Sequence, residues 1–174
     1  MNPELIKQAK IFMIDDELVS VRLLERILNL AGYTNLSMTT DSRRAVSMFT
    51  DDDPDLVLLD LHMPDPDGYE ILKALRKLEP PDTFLPIIVL TADVTWAARR
   101  LALADGATDF LSKPLDDIEV KLRINNVLRT RFLHRQLQNE KALLEERVRE
   151  RTALLEHTIT ELRRANLPLF SSNQ

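Results

Sequence analysis

The sequence predicts an α/β fold, a right-handed doubly wound parallel sheet of five strands followed by a long C-terminal helix that forms a coiled coil. Three observations lead there. Short unbroken apolar runs bounded by acids, such as residues 56–59 between Asp55 and Asp60, have the pattern of strands buried on both faces of a parallel sheet. Such runs alternate five times with apolar residues at helical spacing, as chains of strand-helix-strand units do. From Asp116 no Gly or Pro interrupts a helical pattern until Pro168, and at ~1.5 Å per residue such a helix outruns a compact domain.

The elements follow in order. Residues 10–14 form the first strand, which runs straight into Asp15, Asp16 and Glu17. Val19, Leu23, Ile27 and Leu30, with Leu24 and Leu28, then make a helical apolar face closed by Gly32. Residues 36–38 are a shorter strand, and Asp41 or Ser42 caps the helix carrying Ala45, Val46 and Phe49, which Asp51, Asp52, Asp53 and Pro54 stop. The third strand ends on Asp60. Pro64, Pro66 and Gly68 fix the loop after it, and Ile71, Leu72, Leu75 and Leu78 mark a helix that ends before Pro80. Residues 86–91 are the fourth strand, Trp96, Ala97, Leu101 and Ala104 its helix, and residues 108–112 the fifth strand, which leads into Lys113 and Pro114. The sheet unit fills residues 1–130, the helical extension residues 131–167, and a flexible tail residues 168–174.

Within the extension, Leu133, Leu144 and Leu155 recur every eleven residues, and Leu137, Val148 and Ile159 follow each by four. That period is 3.67 residues per turn, which favours a straight or slightly right-handed coil. A solitary helix would leave the stripe in water, so pairing with a second chain as a parallel homodimer is expected.

Composition narrows the classes. With 174 residues and 44% hydrophobic content, the chain holds one ordinary domain and has no room for a second. A net charge of -5 argues against a nucleic-acid surface, which needs clustered basic charge. The absence of cysteine removes disulfides, thiolate metal sites and thiol catalysis. No apolar run approaches the ~20 residues that span a bilayer, and residues 1–10 lack a signal-peptide core, so the chain reads as cytoplasmic with no membrane partner.

A doubly wound sheet brings its strand ends to one edge, where ligands bind. Four of the five predicted strands end there in chemically capable residues: Asp15 and Asp16, Asp60, Thr91 and Lys113. Three carboxylates in one crevice repel each other, and a hard divalent cation such as Mg²⁺, which takes one or two carboxylates and a phosphate oxygen, resolves that. A carboxylate can also act as nucleophile and form an aspartyl phosphate. On this reading Asp60 attacks phosphorus, Asp15 and Asp16 hold the metal, Lys113 pairs with a phosphoryl oxygen, and Thr91 donates a hydrogen bond.

Asp15 with Asp16, the Asp60-Leu-His-Met-Pro-Asp-Pro-Asp-Gly68 loop, Thr91 with Ala92, and Lys113 with Pro114 together resemble the receiver domain of two-component response regulators. The resemblance implies a flavodoxin-like sheet in the order 2-1-3-4-5 and a phosphoprotein that is not itself an enzyme. It further implies a histidine kinase or phosphotransfer protein as donor to Asp60, Mg²⁺ as cofactor with the His62 main-chain carbonyl as a further ligand, a switch made of Thr91 and Phe110, and a cis peptide before Pro114. Residues 144–152 are similar to linkers that join receivers to HD-GYP cyclic-di-GMP phosphodiesterases, diguanylate cyclases or histidine kinases, so the chain is also readable as the front end of a longer enzyme. The remaining residues read plainly. His62, His134 and His157 lack metal-ligand spacing, Met13, Met38, Met48 and Met63 fill the core, and Asp65 and Asp67, like Asp51, Asp52 and Asp53, are solvated loop charge.

Overall fold

The chain is described from a computed structural model covering residues 3–166 apart from Val94. Strands β1 (Ile11–Ile14), β2 (Leu36–Thr39), β3 (Leu56–Asp60), β4 (Ile87–Thr91) and β5 (Asp109–Ser112) form one parallel sheet in the order β2-β1-β3-β4-β5. Helices α1 (Pro3–Lys7), α2 (Leu18–Leu30), α3 (Ala45–Asp52), α4 (Gly68–Leu78), α5 (Trp96–Ala104) and α6 (Asp117–Asn166) surround and extend it.

Side chains alternate across the sheet, so each central strand feeds two cores. Ile11, Met13, Leu56, Leu58, Ile88 and Leu90 pack with Leu24 and Leu28 of α2 and with Val120, Ile124 and Leu128 of α6. Phe12, Ile14, Val57, Leu59, Ile87 and Val89 pack on the other face with Ala45 of α3, Leu72 and Leu75 of α4, and Ala102 of α5. This two-sided burial explains why β1, β3 and β4 read as continuous apolar runs. Of the methionines, Met13 and Met63 are buried, and Met38 and Met48 pack against the cores from their edges.

Helices α1, α2 and α5 depart from the sequence reading. The buried stripe of α2 is Val21, Leu24, Ile27 and Leu28, whereas Val19, Leu23 and Leu30 face solvent, with Val19 82% exposed. The helix carries apolar residues on two stripes, and spacing alone does not say which one meets the sheet. In α5 the buried residue is Ala102, while Trp96 and Leu101 are exposed. Helix α1 was not predicted because five residues are too few to display a period. Even so, its Ile6 is buried and its Lys7 ammonium lies 4.1 Å from the centroid of the Tyr33 ring.

The receiving loops of the sheet are set by local chemistry. Asp67 is not loose charge but the N-cap of α4, accepting from the Glu70 amide at 2.8 Å while the Glu70 carboxylate accepts from the Asp67 amide at 3.1 Å, a complete capping box. Asp116 accepts from the Glu119 amide at 2.8 Å and so starts α6. Near the other end of the sheet, the Arg131 guanidinium of α6 donates to the Phe84 carbonyl at 2.7 Å and its Nε stands 3.8 Å from Asp55 Oδ1 in an ion pair. Asp55 in turn accepts from the Lys10 amide at 3.1 Å, so α6 is fastened just before β3 begins.

The chain divides into two compact units, one running through His134 and one starting at Arg135. In the second unit Leu137, Leu144, Val148, Leu155 and Ile159 are all exposed along α6, as is Leu133 at the end of the first. The tail expected over residues 168–174 lies outside the described residues. Among the described residues, no helix is long and apolar enough to cross a membrane.

Candidate functional site

Register places the site. Ile14 pairs with Leu59, so the next residues, Asp15 and Asp60, emerge side by side from adjacent strands at the carboxyl edge of the sheet. Asp60 is level with Leu90, and Thr91 with Ser112, so Lys113 follows one step beyond on the outer strand. The Lys113 amide donates to the Thr91 carbonyl at 2.9 Å, and the Lys113–Pro114 peptide is cis.

The Lys113 side chain crosses back over β4. Its ammonium stands 2.8 Å from Asp60 Oδ2 and 3.0 Å from Asp15 Oδ2, bridging two carboxylates that are both buried. The other oxygens are held by the backbone: Asp15 Oδ1 accepts from the Glu17 amide at 2.9 Å, and Asp60 Oδ1 from the His62 amide at 3.2 Å. Asp16 is exposed, yet ligand oxygens of Asp15, Asp16 and Asp60 all lie within 4.8 Å of one another.

Charge and burial compete here. Burial raises the Asp15 pKa, the nearby Asp60 charge adds to it, and hydrogen bonds from Lys113 and the Glu17 amide offset this only in part. Burial also works against the Lys113 ammonium, but the hydrogen bonds and charges of Asp60 and Asp15 outweigh it and raise the Lys113 pKa. Three carboxylates against one ammonium leave a formal charge of about -2 in an edge lined by oxygen donors, which suits a hard divalent cation with oxygen ligands.

Not every predicted residue converges. The Thr91 hydroxyl is committed to a local turn, accepting from the Asp93 amide at 3.0 Å with the Asp93 carbonyl at 3.3 Å, and not to Asp60. The His62 side chain is exposed. Phe110 lies half-buried on β5 with the Arg99 guanidinium 4.4 Å and the Arg123 guanidinium 5.3 Å from its ring centroid. Arg123 is itself held by both oxygens of Asp109, at 2.7 and 2.8 Å, and by Glu119 at 2.8 Å, so the ring joins α5 to the first turns of α6.

Sequence reasoning missed two contributors. Gly68 opens α4 against the strand end, where a Cβ would overlap the Asp60 carbonyl oxygen and lie 2.5 Å from Leu61 Cα. Ser42 is buried with its hydroxyl 3.2 Å from the Pro64 carbonyl. The Gly68 signal, a glycine directly before a helix, reads from sequence only as loop chemistry, and nothing in the local sequence of Ser42 points across to Pro64.

The carboxyl edge of this parallel sheet thus carries an acidic pair, a buried aspartate and a bridging lysine. Residues 11–125 match the response regulator receiver domain, and the chain belongs to that family. It is similar to ycf27 of Porphyridium aerugineum, 40% identical over 124 residues that make up 71% of this chain and 50% of that protein. It is also similar to the response regulator PleD of Caulobacter vibrioides, 34% identical over 134 residues, 77% of this chain and 29% of that one. A solved response regulator from Chloroflexus aurantiacus superposes with a TM-score of 0.63 at 29% identity, over 70% of this chain and 98% of that chain. The chain thus spans half or less of the length of these two curated relatives.

Proposed function

We propose that the chain is a phosphorylatable switch in a two-component phosphorelay, in which Asp60 accepts a phosphoryl group with Mg²⁺ as cofactor and the changed state passes into α6. The observation that carries this is the Lys113 ammonium, placed 2.8 Å from Asp60 and 3.0 Å from Asp15 at the sheet edge. An oxygen of Asp60 attacks phosphorus, and the phosphorus-oxygen or phosphorus-nitrogen bond of the donor breaks with its electron pair leaving on the donor. Lys113 follows the charge onto a phosphoryl oxygen while keeping Asp15. Asp15, Asp16, Asp60 and the His62 carbonyl are the groups that would hold the metal, which supplies positive charge against the transferring group. Thr91 contributes its hydroxyl by leaving the Asp93 turn, and the space it vacates is what Phe110 responds to. The donor is a histidine kinase or phosphotransfer protein in the cytoplasm. Exposed Leu18 and Val19, which follow the acidic pair after Glu17, offer it an apolar surface.

Asp15→Ala and Asp16→Ala are each expected to weaken Mg²⁺ binding by roughly tenfold or more, as loss of a ligand does. Asp65→Ala and Asp67→Ala are each expected to weaken binding less than either of these, with Asp67→Ala also costing stability through the lost cap. Calorimetric titration with MgCl₂ checks all four, and a loop variant as damaging as the pair would displace the site.

The second half of the reading concerns α6. Its stripe of Leu133, Leu137, Leu144, Val148, Leu155 and Ile159 is exposed throughout, and each such side chain contributes ~1.5–3 kcal/mol on full burial. Even half burial against a second copy exceeds the cost of associating two preformed helices. We therefore read residues 131–167 as the coiled-coil extension of a receiver in residues 1–130, pairing in parallel so that both receivers signal toward the same end. Sedimentation is expected to show the chain dimeric at tens of micromolar, and a chain ending at His134 folded, phosphorylatable and monomeric. A monomeric full chain with and without phosphodonor contradicts the pairing. Because the curated relatives are longer, a catalytic output domain beyond α6, of the HD-GYP, diguanylate cyclase or histidine kinase kind, is the accompanying proposal for a parent protein.

A further inference from the structure

Between Asp60 and α4 the chain forms a strap, residues 61–67, that carries the His62 carbonyl. Its near end is sunk in the core through Leu61 and Met63. Its far end is closed by the Asp67 capping box and by the Gly68 amide, which donates to the Leu61 carbonyl at 3.3 Å. The middle is tied from another element. Ser42, the first residue of the 3₁₀ turn (Ser42–Arg44) that leads into α3, is 6% exposed, and its Oγ lies 3.2 Å from the Pro64 carbonyl and 3.4 Å from the Asp65 carbonyl.

A hydroxyl at a helix entry ordinarily serves the local backbone. That task is already done by Asp41, whose carboxylate accepts from the Arg43 amide at 3.2 Å. Ser42 instead directs its single proton at two carbonyls more than twenty residues away. These carbonyls have few alternatives in a strap that contains two prolines, whose nitrogens donate nothing. A metal site tolerates misplacement of its ligands by only about 0.5 Å, so a tie on the strap bears directly on how well the His62 carbonyl is held.

We propose that Ser42 is a positioning residue for the divalent-cation site, acting through the strap and touching neither cation nor phosphoryl group. The inference rests on the reading of Asp15, Asp16, Asp60 and the His62 carbonyl as that site. In the untied strap the carboxylates are unchanged, so affinity falls while the chemistry of Asp60 does not.

The test compares Ser42→Ala, Ser42→Thr and Asp41→Ala in the full chain. Titration with MgCl₂ by calorimetry is expected to give a Kd about tenfold weaker for Ser42→Ala, the low end for loss of a group that orients a ligand. Ser42→Thr, which keeps the hydroxyl, recovers most of this, and Asp41→Ala stays within about twofold although it removes a cap from the same turn. Labelling by acetyl phosphate is slowed in Ser42→Ala at low Mg²⁺ and returns to the unaltered rate at saturation, whereas a general structural defect would not be cured by more cation. Hydrogen exchange without metal reports the tie directly, through faster exchange of strap amides in Ser42→Ala. A Kd within twofold of the unaltered chain, or unchanged exchange in the strap, overturns the positioning role. Failure of the unaltered chain to bind Mg²⁺ overturns the cation reading instead, and the exchange comparison still decides whether Ser42 holds the strap.

Discussion

The Asp60→Asn chain is expected to take up no phosphate from acetyl phosphate and Mg²⁺, under conditions where the unaltered chain is labelled at one carboxylate. Asn keeps the volume and one oxygen, so the acceptor of the His62 amide, now at 3.2 Å, can remain. What disappears is the anionic nucleophile and one of the two partners of Lys113. The other partner, Asp15 at 3.0 Å, keeps the ammonium paired, so the fold survives and the loss belongs to chemistry rather than to unfolding. A neutral amide oxygen is a far poorer nucleophile than a carboxylate, and loss of a nucleophile typically removes several orders of magnitude in rate, on the order of 10⁴ or more. Mass spectrometry of the intact chain, with circular dichroism as the folding control, reads both quantities. Undiminished labelling of the variant would falsify the assignment of Asp60.

Gly68→Ala is expected to carry the largest stability loss of any single-methyl change in the chain. The added Cβ would overlap the Asp60 carbonyl oxygen and stand 2.5 Å from Leu61 Cα, so the backbone of the strand end is in the way. Neither can yield cheaply. The Leu61 amide is bonded to the Leu90 carbonyl at 3.1 Å, continuing the sheet, and the N-terminus of α4 is locked by its capping box. Overpacking a rigid site costs about 1–3 kcal/mol, and an obstacle made of backbone rather than of a flexible side chain puts this change at ~3 kcal/mol or above. Denaturant titration against the unaltered chain measures it. A loss below ~1 kcal/mol would mean that the strand end moves freely, contrary to its place in the sheet.

How much of this could be read beforehand follows from the range over which each cause acts. The strand ending on Asp60 was legible because burial on both faces leaves a run of four apolar residues with an acid at its end. That Asp15, Asp60 and Lys113 share one edge follows from the parallel sheet that the alternation of elements predicts, whereas the strand order that makes them neighbours is implied by the resemblance to receiver domains. The face of α2 was not legible, since Val19, Leu23 and Leu30 are as apolar as the stripe that is buried. The role of Asp67 is written locally, three residues before Glu70, in a spacing that marks helix starts, yet it reads as loop charge when only the turn residues are weighed. Arg99 and Arg123 around Phe110, and Ser42 on the strap, arise between elements distant in sequence, where neither period nor spacing carries a trace.

The fastening of α6 beside the start of β3 gives the fold a mechanical connection. Asp60 is the last residue of β3, and Asp55, in contact with Arg131, immediately precedes its first. Between them runs one straight strand of five residues, about 17 Å at ~3.3 Å per residue, gripped by neighbours on both sides. One strand thus carries the buried carboxylate of the sheet edge at one end and stands beside the guanidinium of α6 at the other.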